Sequence, residues 1–222
     1  MNGTTRHIKL RVICALCNNG WMSKLDNQII PVAERLLKGE PLTLTKDVQT
    51  RLAEWIALKV LVADHAPRLG EGAKSIFDAA TLAKFLKDQK VPPGFTIWIG
   101  PGGGPEWREA AKIHRAGVFV SSIVFGLSAL KKMPPIRQNV CTMTWGAGYA
   151  VFSIVAVSDP SLYGVDWETP FGHFQIWPVR ERDGTWAPNY AIADWKITEI
   201  SMRHNRHADS PMPISKRTGN QS

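Results

Sequence analysis

Residues 52–63 read LAEWIALKVLVA, an apolar run in which only Glu54 and Lys59 are charged. On a helix these side chains would cover almost the whole surface, which is typical of a helix that is buried on all sides. The run is 12 residues long, whereas a membrane-spanning helix needs about 20 apolar residues. We therefore predict a core helix that begins near Thr45, a residue suited to the N-cap, and ends near His65.

The segment before this helix predicts a second helix, which is amphipathic. Its apolar residues recur at helical spacing, at Trp21, Leu25, Ile29, Ala33 and Leu36. We expect Pro31 to kink or split this helix and Gly39 to end it. Further upstream, Thr5 to Ile13 reads as a β-strand.

The segment after the core helix changes in character. A third helix is predicted between Asp78 and Lys90, and the later apolar runs read as strands bounded by Gly, Pro and Asp. These strands are residues 95–99, 117–125, 142–157 around a turn at Gly146 and Gly148, and 172–179. The predicted fold class is α+β: an N-terminal zinc-knuckle-like strand, turn and helix with further helices, followed by an antiparallel β-rich half.

Three parts are predicted along the chain. Residues 1–38 form a partial knuckle and its helix, and residues 39–202 form the main α+β domain. Residues 203–222 are polar and basic, and we expect a disordered tail there.

The composition is that of an ordinary globular protein, with 44% hydrophobic and 21% charged residues in 222. The formal net charge of +8 favours a polyanionic partner, nucleic acid first. Neither a membrane-spanning segment nor a secretory signal is visible, so a cytoplasmic protein without a membrane partner is expected.

The pair Cys14 and Cys17 is the clearest candidate for a metal-binding site in the sequence. A strand that runs into C-x-x-C and a helix places two thiolates on one side of a turn, where they suit two corners of a tetrahedral Zn²⁺ site. A redox pair would be expected inside a βαβ unit, which the sequence does not predict here. Cys141 lies in an apolar run and is expected to be a buried small hydrophobe.

The segment from Cys14 to Met22, CALCNNGWM, resembles the signature of an HNH-endonuclease-like family of bacteria and phages. The resemblance continues through most of the chain, although only the cysteine segment is a sharp motif. It includes Gly39-Glu40-Pro41, the Trp55 helix, Pro92-Pro93-Gly94 and Gln175-Ile176-Trp177-Pro178. In that family two C-x-x-C pairs hold zinc, and the catalytic His lies between them.

This chain has only the second half of that motif. Hydrolysis of a phosphodiester by the family needs a His that activates water and a divalent ion that stabilises the developing charge. Asp64-His65 follows Cys17 inside the predicted core helix and does not match. The resemblance thus implies an HNH-related, catalytically incomplete protein, which as it stands is not expected to be an enzyme. The missing half would precede Met1, through either a natural truncation or a start codon further upstream.

Two cysteines leave the zinc site incomplete, because a structural site takes four ligands. The sequence leaves three outcomes open. Two chains could share a Cys₄ site in a homodimer. Alternatively, His7, or His204 and His207, could complete the site within one chain. In the third outcome, no zinc binds and the thiols stay free.

Nucleic-acid contacts are predicted at Arg6, Lys9 and Arg11 on the N-terminal strand and at Lys24 just past the knuckle. The same cations could instead form the solvated face of an edge strand. An alternative function is a phage or mobile-element inhibitor or adaptor, resembling an anti-CRISPR protein, that binds a protein of a host nucleic-acid defence complex. A further alternative is the C-terminal part of an active, metal-dependent HNH endonuclease.

Other polar motifs predict structural roles. Residues 100–105, GPGGGP, lack the Gly-Lys-Ser/Thr ending of a phosphate loop, and we predict a flexible loop. His204-x-x-His207 with Asp209 is expected to be a solvated part of the tail. His114 and His173 are expected to be structural residues of the β-rich half.

Overall fold

The computed structural model describes residues 14–65, 75–109, 113–118, 138–179, 183–186 and 189–206. The predicted strand Thr5 to Ile13, residues 119–125 of another predicted strand and residues 207–222 of the predicted tail lie outside these ranges.

The described chain is α+β, as predicted. Its helices are α1 (Ala15–Cys17), a π-helical segment (Asn18–Met22), α2 (Ser23–Lys38), α3 (Lys46–Asp64), α4 (Ala79–Asp88), α5 (Pro105–Glu109) and α6 (Asp194–Arg206). A 3₁₀ turn spans Pro160–Leu162. Its strands are β1 (Leu42–Leu44), β2 (Phe95–Pro101), β3 (Ile113–Val118), β4 (Val140–Ala147), β5 (Ala150–Val157), β6 (Phe174–Trp177) and β7 (Gly184–Trp186).

Five strands form one antiparallel sheet in the order β3-β4-β5-β2-β6, and β1 pairs with β7 separately. The hairpin of β4 and β5 turns at Gly148 and Tyr149, within the region where the sequence predicted a turn. Every residue of β5 is buried, because both faces of the sheet are covered. One face of β5, including Phe152 and Ile154, belongs to the main core with α2 and α3. The other face carries Val151, which packs with Trp107 and Ile197.

Helix α3 occupies the centre of the main core, which confirms the prediction from its sequence. Leu52, Ile56, Leu58 and Leu61 are completely buried. The Thr45 side chain accepts a hydrogen bond from the Val48 amide and forms the predicted N-cap. Helix α3 contacts α2, β1 and β6, and thereby joins the N-terminal helices to the sheet.

Helix α2 runs as one helix through Pro31, so the predicted split at that residue does not occur. Pro31 is exposed, and the buried residues Leu25, Ile29 and Leu36 hold the helix to the core on both sides of it. The irregular backbone lies earlier, at Gly20, where φ is −95° and ψ is −113°. Gly39 ends the helix in the left-handed conformation, with φ of 71°, as predicted.

Helix α6 was not predicted, and it extends to Arg206 within the region assigned to a tail. Its Ile197 packs with Trp107 of α5 and Val151 of β5, and Ile200 is also buried. Among the described side chains of α6 these two are the buried hydrophobic ones, and so few give a weak periodic signal, which explains why the sequence did not reveal the helix. Among the described helices, none is both long and apolar enough to cross a membrane.

Candidate functional site

The cysteine pair lies on an exposed turn at the start of the described chain. Cys14 caps α1, and its Sγ accepts a hydrogen bond of 3.3 Å from the Cys17 backbone N–H. Cys14 is exposed and Cys17 is half-buried. The turn thus presents two neighbouring thiols at the surface, and we call residues 14–22 the knuckle.

The two thiols differ in acidity because they interact. The backbone N–H of Cys17, followed by contact with the Cys17 side chain, lowers the pKa of the Cys14 thiol. Contact with the Cys14 side chain, together with partial desolvation, raises the pKa of the Cys17 thiol. An amide N–H directed at sulfur stabilises a thiolate, which is the form that binds metal ions.

The knuckle is anchored to the core by the two residues that follow Gly20. Met22 is buried in the main core. The ring of Trp21 meets that of Phe85 on α4 edge-on, with 5.8 Å between ring centroids. Since Phe85 is itself buried, this contact fixes the knuckle beside α4.

Helix α4, which carries Phe85, also presents exposed lysines. Phe85 and Leu82 turn inward, while Lys84 and Lys87 are exposed, as is Lys90 just beyond the helix. Lys84 pairs with Asp88, and the hydrogen bond from Lys84 is the first cause that lowers the pKa of the Asp88 carboxyl. Weaker attraction to the other two lysines adds to this effect.

Lys24, the fourth predicted nucleic-acid contact, is exposed on α2, one turn beyond Trp21. We call four exposed lysines the lysine face: Lys24, which follows the segment that carries Trp21, and Lys84, Lys87 and Lys90, which lie on or just after the helix that carries Phe85. The α4 lysines were not among the predicted nucleic-acid contacts, although three lysines occur in the run AKFLKDQK at residues 83–90. The predicted contacts Arg6, Lys9 and Arg11 lie outside the described residues.

The residues that could complete a zinc site are not gathered at the knuckle in the part of the chain that the structure describes. No cluster of three or more His, Cys, Asp or Glu side chains that could hold a metal ion occurs there. Cys141 is completely buried in β4, as predicted. The backbone of His204 belongs to α6, which contacts α5, β3 and β4. His7 and His207 lie outside the described residues.

A buried Ser–His pair lies elsewhere, across the sheet. Ser153 on β5 and His173 before β6 approach to 3.2 Å between Oγ and Nε2, while Nδ1 lies 3.0 Å from the Phe171 carbonyl. Burial lowers the pKa of His173 to about 4, and the Phe171 carbonyl acts in the opposite direction. A neutral His with N–H on Nδ1 satisfies both contacts. Because Ser153 is completely buried and His173 nearly so, the pair has no access to a substrate and is structural, as predicted for His173.

The glycine-rich segment at residues 100–105 is held in place by hydrogen bonds, contrary to the predicted flexible loop. The amides of Gly102 and Gly103 donate to the carbonyls of Tyr149 and Ile192. At the end of the segment, the amide of Glu106 donates to the Asp194 carboxylate at 2.9 Å. An internal carboxylate therefore occupies the position where a bound phosphate would accept hydrogen bonds.

A group of exposed aromatic side chains marks a second surface, next to α6. Phe171 is 68% exposed and Trp195 is 69% exposed, and the ammonium of Lys196 lies 5.7 and 5.5 Å from their ring centroids. Tyr190 is half-exposed beside them and donates a hydrogen bond to the Gly172 carbonyl. We call Phe171, Tyr190 and Trp195 the aromatic patch.

Comparison of the chain with known protein families, with characterised proteins and with solved structures finds no significant match.

Proposed function

We propose that this chain is an HNH-related, catalytically incomplete protein that acts on or near nucleic acid, with Cys14 and Cys17 as ligands of a structural zinc ion. The observation that carries the proposal is the knuckle. Two thiols lie on a surface turn, and the Cys14 sulfur accepts a hydrogen bond from the Cys17 backbone N–H. Trp21 of the same segment contacts Phe85 on the lysine-bearing helix α4. The HNH-related part of the proposal rests on the resemblance of residues 14–22 to the family's sequence motif.

Zinc would be held by the thiolates of Cys14 and Cys17, and it would supply rigidity to the knuckle rather than a reaction. The Cys17 amide acts as an outer partner of this site, since it already donates to the Cys14 sulfur. No hydrolytic step follows from the described residues of the HNH-like segment. The nearby Asp64-His65 pair is engaged in the fold, because Asp64 is buried and accepts the Phe77 amide.

The lysine face supports nucleic acid as the partner. Lysines recognise phosphate groups as flexible point charges, and such contacts position a protein on a duplex without reading its sequence. The net charge of +8 also attracts nucleic acid, and it does so over a longer range than the single lysines. We include Arg6, Lys9 and Arg11 in the proposed contact surface on the basis of the sequence alone.

The test is the salt dependence of nucleic-acid binding by the zinc-loaded protein. We expect a short labelled duplex to bind in fluorescence anisotropy, with a plot of log affinity against log salt that falls with a slope of about −3 or steeper. This slope corresponds to the release of about one counterion for each lysine that contacts a phosphate. The matching single strand and RNA duplex would show which form is preferred. Absent or salt-independent binding of all three would contradict the proposal.

The aromatic patch favours a second candidate function, that of an adaptor or inhibitor that binds a protein of a nucleic-acid defence complex. Exposed Trp, Tyr and Phe side chains are the residues that most often anchor protein interfaces. Lys196 is paired with Glu199 at 2.7 Å, so the centre of the patch is close to neutral and suits a protein better than a polyanion.

The two candidates differ in their response to nuclease. A partner complex that survives nuclease treatment and is lost on changing Phe171 and Trp195 to Ala would support the adaptor. Loss of all captured material on nuclease treatment would support the nucleic-acid function instead.

A further inference from the structure

The knuckle supplies only half of the ligands that structural zinc requires. Such sites are four-coordinate, and Cys14 and Cys17 provide two sulfur ligands. Across the described ranges no third acidic, His or Cys side chain joins them, and Cys141 is sealed inside the sheet. The other two ligands must therefore come from beyond these residues, and a second chain can provide them as an identical pair.

The shape of the knuckle suits contact with an identical surface. Leu16 lies between the two cysteines and is 84% exposed, more than any other large hydrophobic residue in the described part of the chain. An isolated leucine on a surface needs no explanation, but this one stands at the tip of a turn between two metal-binding side chains. When two such turns meet around one ion, the two leucines approach each other and lose contact with water, which favours the association.

Symmetry also favours a second copy, and the charge of the metal site reduces the repulsion between two cationic chains. In a twofold interface each chain contributes the same patch, so one C-x-x-C pair from each copy gives a tetrahedral Cys₄ set. Four thiolates around Zn²⁺ carry a net charge of −2. The exposed Lys24 of each chain lies near the knuckle, and the two chains are each strongly cationic. The anionic metal site therefore offsets part of the repulsion between the chains.

We infer that two copies of this chain join through a single zinc ion held by Cys14 and Cys17 of both, with the two Leu16 side chains in contact beside it. This inference rests on the zinc ligation in the proposed function and adds the partner that completes the site. It also places two lysine faces on one assembly, so that a duplex could contact both.

Native mass spectrometry of the reduced, full-length chain tests the inference, with zinc added and then removed by a chelator. We expect a species of twice the 24.7 kDa chain mass that contains one zinc ion. The chelator should convert it to metal-free monomer. Cys14→Ser and Cys17→Ser should each abolish both the zinc and the dimer.

Each other outcome overturns the inference in a distinguishable way. A monomer with one zinc ion would show that the chain completes the site by itself, and the zinc part of the proposed function would stand. A dimer that persists without zinc would show that other contacts join the chains. A monomer that takes up no zinc would overturn this inference and the proposed zinc ligation together.

A variant that keeps all four sulfur ligands distinguishes the contribution of the Leu16 contact from the contribution of zinc binding to dimer formation. Leu16→Ser should raise the concentration needed for half-maximal dimer formation by about tenfold or more, because two buried leucines are lost per dimer. Ile30→Ser is the matched control, since Ile30 is an exposed apolar residue of α2 away from the knuckle. Equal effects of the two substitutions would contradict the proposed contact at Leu16.

Discussion

Replacing Lys24, Lys87 and Lys90 together with Ala should weaken binding of a DNA duplex by roughly 100-fold or more at about 0.1 M salt. If each lysine contacts a phosphate, the slope of log affinity against log salt should become shallower by about 2.7. Lys84 is left unchanged because it pairs with Asp88, and replacing Lys84 would leave the Asp88 carboxylate without this ion-pair partner. Fluorescence anisotropy over about 50 to 200 mM salt measures both quantities.

A second triple variant controls for the change in net charge. Arg35 and Lys38 at the end of α2 and Lys46 at the start of α3 are exposed and belong neither to the knuckle nor to α4. The ion pair of Arg35 with Glu40 is long, at 3.9 Å, and exposed, so that its loss costs little stability. Replacing Arg35, Lys38 and Lys46 with Ala also lowers the formal net charge from +8 to +5. This variant should lose only the long-range part of the attraction. Equal losses of affinity in both variants would mean that net charge, and not the lysine face, carries the binding.

Acidification should destabilise the protein through His173. The folded pKa of about 4 lies below the ordinary value of 6.5, so His173 stabilises the fold fully above about pH 6.5. This stabilisation is lost as the pH falls toward 4, because the unfolded chain takes up the proton first. At about 1.4 kcal/mol per pH unit, the loss in the free energy of unfolding is about 3 kcal/mol near pH 4.

Urea unfolding at a series of pH values measures this effect, with His173→Gln and Ser153→Ala for comparison. His173→Gln should flatten the pH dependence between pH 6.5 and 4, since the ionisable group is gone. Ser153→Ala should retain it, because burial rather than the serine contact is the main cause of the lowered pKa. A His173→Gln protein with the wild-type pH dependence would show that other groups control acid unfolding.

The elements that the sequence revealed are those with strong local signals. The largely apolar run 52–63 predicted α3 and its central place. The caps Thr45 and Asp78 each accept an amide from the first turn of the helix they begin, which is a short-range property of the sequence. For the same reason the C-x-x-C segment could be located from local sequence alone.

The contacts that the sequence did not reveal join residues far apart in the chain. Asp194 caps α5, whose first residue is Pro105, and this depends on how α6 docks. Ser153 meets His173 across the intervening strand β2 because Gly100 there has no side chain. A Cβ on Gly100 would lie 2.8 Å from the imidazole Nδ1. Likewise, Lys24 and the α4 lysines could be grouped only from the contact between Trp21 and Phe85, and no periodicity in the sequence predicts this contact.

The identity of the ligands at the knuckle is the central claim, and absorption spectroscopy with cobalt(II) in place of zinc tests it most directly. We expect the reduced protein to show thiolate-to-cobalt charge-transfer absorption together with the intense visible bands of a tetrahedral site. Addition of zinc should remove both sets of bands. The double variant Cys14→Ser, Cys17→Ser should show neither set when cobalt is added. A spectrum of hydrated cobalt alone, unchanged by the protein, would contradict metal binding by Cys14 and Cys17.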